Sequence, residues 1–452
     1  MTTSTRRLTA VAVALTLLAA TTAGASAQSS SSGSSMSSMS SGSSGGSRDT
    51  PAETDVPWAE SVTEGLQVRL IGDVLGPGLS DHVGFLSGDL GIMASVGPGE
   101  EFLMIFGDSF RGKNLTGEWL SPVGVVARLD DDGRIEILRP LNDDEIVEQL
   151  INYRHNDRGL TLLPSDIINL GGTLYMQGMW NEGVGNVLRT EIWKSTDQGA
   201  TWRSTNDVKS ASYLQGMGQL ITWELGPDGY VYIMSTSFQR DDPVFLARAL
   251  PTSLGDRDTW QYYTVESDTW SSKATPILDT AMEAGEMSLR YIDGHWVLAM
   301  FNEATMAIEV RISKEIARDW DQITPANVVV SGFGGWGEQQ SPENFTQLYG
   351  GYIVPGSTID NLDLVVSQWN TTDNSRYMST QFNVKGLDTF FGIDTAAPGA
   401  FTPMTAEPGL GDQSVIETSE TTVDPGVEER LTEELLMEDV TALTVIPLGD
   451  AL

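Results

Sequence analysis

The chain has 452 residues, 40% of them hydrophobic, a formal charge of −36 and no cysteine. That length and apolar content suffice for a sizeable core, while the missing cysteine excludes disulfides, thiolate nucleophiles, lipid attachment through cysteine and zinc–cysteine sites. The acidity makes nucleic acid a poor partner, because phosphates are met by Lys and Arg, and it argues against adhesion to anionic lipid.

In chain order, residues 1–27 read as a secretory signal: Arg6 and Arg7, an apolar run over 8–20, then Ala25-Ser26-Ala27 as a cleavage site. The run is shorter than the ~20 residues a membrane span needs, so export without membrane insertion is expected, to the cell envelope or beyond. Arg6-Arg7 also fits twin-arginine export, although Thr9 stands where an apolar residue is usual. Residues 28–57 form a linker, almost entirely Ser, Gly and Met over 29–47, which cannot bury enough surface to fold and reads as a flexible tether.

From 58 to 388 the pattern becomes short strands rich in Val, Ile, Leu, Tyr and Trp, separated by Gly, Asp or Asn turns. They fall into five groups: 91–96, 102–106, 124–129 and 135–138; 167–170, 174–178, 191–195 and the strand of Trp202; 220–225, 230–235, 244–248 and 260–264; 287–292, 295–301 and 308–313; 345–354, 362–368 and 377–382. Within the second group, Ser195-Thr196-Asp197-Gln198-Gly199-Ala200-Thr201-Trp202 is a complete S-x-D-x-G-x-T-W Asp-box, in which the Asp accepts backbone N–H bonds in its own turn and the Gly permits a positive φ. Such hairpins mark the outer strands of propeller blades. The expected fold is all-β, a five-bladed β-propeller, with the strand 67–71 pairing with the last blade to close the ring.

Residues 389–452 read as an acidic, mostly disordered tail whose lone basic residue beyond Asp394 is Arg430. Asp424-Pro425 and the helically spaced Val427, Leu431, Leu435, Leu436, Val440 and Leu443 mark a short helix over 425–443.

With three histidines, His82, His155 and His295, a Ser-His-Asp triad or a multi-histidine metal site is hard to build, which leaves carboxylates. Asp89 in Gly88-Asp89-Leu90-Gly91 opens the first inner strand and Asp108 in Phe106-Gly107-Asp108-Ser109-Phe110 ends the next. A hairpin of those strands brings both to one end of the first blade, facing the axis. Paired carboxylates with separated pKa values are what glycoside hydrolysis requires. The competing reading is an Asp that bonds its own turn, as Gly-Asp steps commonly do.

Gly88-Asp89-Leu90-Gly91, Phe106-Gly107-Asp108-Ser109-Phe110, Val244-Phe245-Leu246-Ala247-Arg248, Gly285-Glu286-Met287-Ser288-Leu289 and Tyr349-Gly350-Gly351-Tyr352 resemble the motifs of the endo-D-arabinanase family, glycoside hydrolase family 183, formerly a domain of unknown function of exported actinobacterial proteins. The similarity spans roughly 68–382. It implies a five-bladed propeller that cuts internal linkages of D-arabinan in arabinogalactan and lipoarabinomannan. The family's Gly-Thr-Asp-Leu-Gly falls on 87–91, where Gly88 replaces the Thr and removes a hydroxyl beside the acid. Its Gly-Asp-Thr-Phe falls on 107–110, with Ser109 for Thr, and its acidic Gly-Glu-(Leu/Met)-Ser residue falls on Glu286. The resemblance thus implies Asp89 and Asp108 as the acid/base pair and Glu286 as a third carboxylate.

Arg240, His155, Trp180 and Trp369 are expected to line the substrate, with Trp336 a further candidate, Arg240 by bidentate hydrogen bonds to a carboxylate or sugar hydroxyl or by pairing with a blade acid, and the tryptophans by stacking on a furanose ring; Arg248 is expected rather to pair with an acid of its blade. No cofactor and no catalytic metal are expected, with a structural calcium left open, and the protein is expected to act as a monomer on a polysaccharide. A non-catalytic carbohydrate-binding propeller, motivated by Gly88, and an interaction scaffold, motivated by the tether and tail, are the alternatives.

Overall fold

Every described strand belongs to one of five antiparallel sheets, and the sheets follow one another in sequence as blades of a ring. The computed structural model describes residues 61–97, 99–142, 144–332 and 340–394; the expected signal, the linker and the helix at 425–443 lie outside them. Blade 1 runs Ser87–Ser95, Phe102–Phe110, Val123–Leu129 and Ile135–Pro140, with the short strand Trp119–Leu120 on its second strand. Blade 2 comprises Leu160–Leu170, Thr173–Glu182, Val187–Ser195 and Arg203–Ser210. Blade 3 starts with Leu220–Leu225, Val231–Thr236, Val244–Ala249 and Gln261–Thr264, and adds Thr269–Ser271 and Pro276–Leu278, which were not expected. Blade 4 has Ala284–Ile292, His295–Asn302, Ala307–Ser313 and Ala326–Val330, the last also missed.

Blade 5 supplies Leu348–Ile353, Asn361–Trp369 and Tyr377–Lys385, and its fourth strand is Gln67–Asp73 from the other end of the fold. Val68 pairs with Val384 and Leu70 with Phe382, so the ring closes by strand pairing and the edge of Tyr377–Lys385 is covered, as the sequence led us to expect. The helix Leu387–Phe391 follows, and Phe390, Phe391 and Ile393 pack on the core of the last two blades.

The core is a set of seams between blades. Its buried clusters join blades 5, 1 and 2, blades 2 and 3, blades 3 and 4, and blades 4 and 5. Each fully buried Leu, Ile, Val or Phe contributes about 1.5–3 kcal/mol, so the seams hold the ring in the absence of disulfides. The Asp-box forms as read: Asp197 accepts from the Thr201 backbone N–H at 3.0 Å, Gly199 has φ +93, and the Trp202 indole donates to Gly199 O at 3.0 Å.

Four of the five inner strands carry a register break, near the N-terminal end between Gly88 and Ile92, Ala284 and Met287, and Gly350 and Tyr352, and midway along the strand between Pro164 and Asp166. Such bulges re-aim side chains. Gly91 and Gly351, with φ +98 and +128, supply backbone conformations that an L side chain resists. The bulges also explain why the first strand begins at Ser87 and the second runs on to Phe110: Asp89 and Asp108 lie inside the sheet, not in turns beyond it.

Deeper along the axis, Arg290 joins four blades. Its guanidinium donates to both carboxylate oxygens of Asp166 at 3.3 Å and to Met93 O at 2.8 Å, and its Nε lies 4.0 Å from Glu224. Asp166 is fully buried and also accepts from Thr222 Oγ1 at 2.7 Å and the Trp223 backbone N–H at 3.1 Å.

Candidate active site

At the N-terminal ends of the inner strands the two acids of blade 1 converge with a third from blade 4. Asp89 sits in the bulge of the strand Ser87–Ser95, and the hydroxyl of Tyr349, from blade 5, donates to its Oδ2 at 2.9 Å. Its Oδ1 is buried and meets no donor. Burial, then Asp108 and, more weakly, Glu286 push the Asp89 carboxyl up to about 8 against hydrogen bonds from Tyr377 and Tyr349 that pull it down. Asp89 is therefore a protonated acid at neutral pH.

Asp108 stands on the adjoining strand Phe102–Phe110 and is half-buried. Its Oδ1 accepts from the Trp119 indole at 2.9 Å and from Thr161 Oγ1 of blade 2 at 2.7 Å. Burial also raises Asp108, against the pull of Thr161, Trp119 and the nearby His155. Two donors on one oxygen hold it as an acceptor. The two carboxyls thus have different partners: one is met by buried phenols, the other by an indole and a hydroxyl.

Glu286, buried in the blade 4 bulge, takes a hydrogen bond on Oε1 from Arg240 at 2.8 Å. Arg240 follows the strand Val231–Thr236 in a left-handed conformation (φ 59), with its guanidinium 4.9 Å from the centre of the Phe301 ring, 5.9 Å from that of Tyr349 and 4.0 Å from Glu303. Glu286 Oε2, Arg240 Nε, Ser237 Oγ and Asp89 Oδ1 are all buried without a partner. An unmet buried polar group costs about 1–3 kcal/mol, so such a concentration beside one ion pair marks a place built for something other than stability.

The supporting residues divide. His155 stacks on Trp119, with centroids 3.7 Å apart and planes within 12°, and its Nδ1–H donates to Leu160 O at 2.8 Å, so it backs the indole that binds Asp108. Trp369 remains half-buried at the same end of blade 5, its indole donating to Asn374 Oδ1 at 2.9 Å and its ring edge-on to Tyr377. Trp180 differs from expectation: it is 8% exposed, edge-on to Tyr153, and its indole donates to Glu191 at 2.9 Å, so its ring is core and offers no open face. Arg248 serves its own blade, between two aromatic rings and not against an acid. It lies on the third strand of blade 3, away from the axis, between Tyr230 and Trp270 at 4.3 and 4.4 Å. His82 is exposed, with Nε2 donating to Ile137 O, and Trp336 lies outside the described residues. Among the described residues no group of three or more His, Cys, Asp or Glu is placed to hold a metal ion, and no helix is long and apolar enough to cross a membrane.

Trp119, Thr161, Tyr349 and Tyr377 were missed as site residues. Only Tyr349 left a trace in the sequence, as the residue before the glycine pair that makes the blade 5 bulge.

Fold and site together define a five-bladed β-propeller with a carboxylate-lined axial end. Residues 76–383 match the family model DUF4185, described as a domain of unknown function, and the chain belongs to that family. An uncharacterised 35.9 kDa protein of the asd 3′ region of Mycolicibacterium smegmatis is 29% identical over 284 residues, which is 60% of this chain and 83% of that protein. Among solved structures, a candidate hydrolase from Bacteroides ovatus superposes with a TM-score of 0.50 at 14% identity, over 70% of this chain and 89% of that one, a likeness of fold. The native Bacillus subtilis arabinanase gives a TM-score of 0.40 at 13% identity, over 67% and 97% of the two chains.

Proposed function

We propose that the protein is a glycoside hydrolase acting within arabinofuranosyl polymers, with D-arabinan of arabinogalactan and lipoarabinomannan as substrate. The observation that carries the reading is the unequal pair on blade 1: Asp89 protonated near neutral pH beside Asp108 held as an acceptor. Splitting two carboxyls in this way supplies a general acid and a carboxylate at the same scissile bond. Asp89 gives its proton to the departing glycosidic oxygen while Asp108 acts at the anomeric carbon, as base toward water or as nucleophile according to the room between the carboxyls. Glu286, fixed by Arg240, adds negative charge opposite the pair and stabilises the oxocarbenium-like transition state. The choice of D-arabinan rests on the order of the sequence motifs. On this reading the protein is exported, works as a monomer, and requires no cofactor for the chemistry.

The test is incubation of the mature chain with mycobacterial arabinogalactan, followed by a reducing-end assay. Shortened oligosaccharides are expected from the parent. Asp89→Asn and Asp108→Asn each reduce turnover by at least about 10³-fold while circular dichroism stays unchanged. Binding of the glycan without new reducing ends from the parent would instead identify a lectin-like propeller.

A further inference from the structure

Tyr349 opens the inner strand of blade 5, and the left-handed pair Gly350 (φ +78) and Gly351 (φ +128) directly after it turns that strand in a bulge. Its hydroxyl reaches Asp89 Oδ2 at 2.9 Å from 260 residues away in sequence. The other oxygen, Oδ1, is buried without a donor and lies over Gly107, where a Cβ would stand 2.7 Å from it. One oxygen of the carboxyl is thus engaged as an acceptor and the other is free to carry a proton. The phenol ring also faces the Arg240 guanidinium, which holds Glu286, so a single side chain touches the acid and the arm that fixes the third carboxylate.

We propose that Tyr349 is a positioning residue of this site: by occupying Oδ2 of Asp89, its hydroxyl fixes the acid's proton on Oδ1 and sets the strength of that acid. The proposal rests on the hydrolase reading above. A donor to a carboxyl stabilises its charged form. Tyr349 therefore works with Tyr377 against burial, Asp108 and Glu286, the influences that raise Asp89. Tyr349 is itself pushed well above the usual tyrosine range by burial, Asp89 and Glu286, with Arg240 opposing, so it keeps its hydrogen while Asp89 titrates. In the reaction the proton leaves Oδ1 for the glycosidic oxygen as the C–O bond breaks and its electron pair stays on the departing oxygen. Asp89 is left as a carboxylate whose new charge the phenol stabilises.

Tyr349→Phe removes only the hydroxyl. In the full chain, kcat on arabinogalactan is expected to fall about tenfold with KM changed less than about twofold, and the high-pH limb of the kcat profile to move up by about one unit, a tenfold change in proton affinity. NMR titration of the Asp89 carboxyl carbon, assigned by its loss in Asp89→Asn, should move up by the same amount. Replacing Tyr349 with a ring-fluorinated tyrosine, a stronger donor of nearly the same size, should move both downwards. A Tyr349→Phe protein whose limb and Asp89 titration match the parent overturns the role even if kcat falls. Should that variant not fold, the fluorinated protein decides, and no downward shift overturns it. A parent that cleaves no arabinan sinks the hydrolase reading, whereas the Asp89 titration in the variants still reads the Tyr349 contact.

Discussion

At Asp89, burial and a neighbouring carboxyl work in the same direction, and the consequence reaches beyond catalysis. Its folded-state value of about 8 lies above the ordinary 3.8, so between those limits the folded protein holds a proton that the unfolded chain releases. Stability must then fall as pH rises through that window. Asp89→Asn removes the cost of charging the site, and we expect the variant to be more stable than the parent at pH 8 by a few kcal/mol, with the difference gone near pH 4. Urea titrations at the two pH values measure it. Gly107 makes a second case. A Cβ there would meet Asp89 Oδ1 at 2.7 Å and Leu90 Cδ1 at 2.9 Å, so Gly107→Ala is expected to lower kcat by about 10²-fold at a cost of about 1–3 kcal/mol, read from kinetics and thermal melting. The four charged groups of the site were visible in the sequence because each stands in a distinctive local pattern, a glycine step for the acids and a strand end for Arg240. Thr161 and Trp119 were not: Thr161 reaches Asp108 across a blade boundary, and Trp119 does so through the two-residue strand that folds back on Phe102–Phe110, and no local pattern encodes either.

The strands themselves were legible wherever apolar residues alternate or run between turn signals, as in His295–Asn302 and Asn361–Trp369. Ala326–Val330 and Thr269–Ser271 escaped notice for different reasons. The first is five residues long and follows a 3₁₀ turn capped by Asp319, and the second is three residues of mixed character held by pairing with Tyr262 and Thr264. Bulges were the largest gap: the glycines hinted at them, but their recurrence in four inner strands emerges only in the assembled ring. A buried contact between blades 2 and 3 was likewise hidden. Arg257, 2% exposed, donates through Nε to Asp207 at 3.0 Å, through Nη1 to Thr190 Oγ1 at 2.6 Å, and through Nη2 to the carbonyls of Thr190 and Asp207. Arg257→Ala strips the guanidinium from buried Asp207, leaving it the backbone N–H of residue 257 and Lys209 Nζ at 3.8 Å, and a loss of about 3 kcal/mol in denaturant unfolding is expected, without change in kcat for the protein that remains folded.

On the scale of the ring, closure by Gln67–Asp73 makes the two ends of the fold interdependent. A chain beginning at Ser61 should unfold cooperatively and keep activity. A chain beginning at Leu75 exposes the edge of Tyr377–Lys385 and should aggregate, which size-exclusion chromatography distinguishes. The five-blade architecture was readable from repeat length and the Asp-box, whereas the knot of Arg290, Asp166 and Glu224 was not, because its members come from three blades and only the axis unites them. That knot lies four residues further along the inner strands than Asp89 and Glu286, about 13 Å below them. It stoppers the bore. On the proposed hydrolase reading, a saccharide chain cannot thread past Arg290 and Asp166, so substrate and product must come and go from the acids' end of the axis. On that reading the stopper sets no demand for a free chain terminus, which fits internal cleavage.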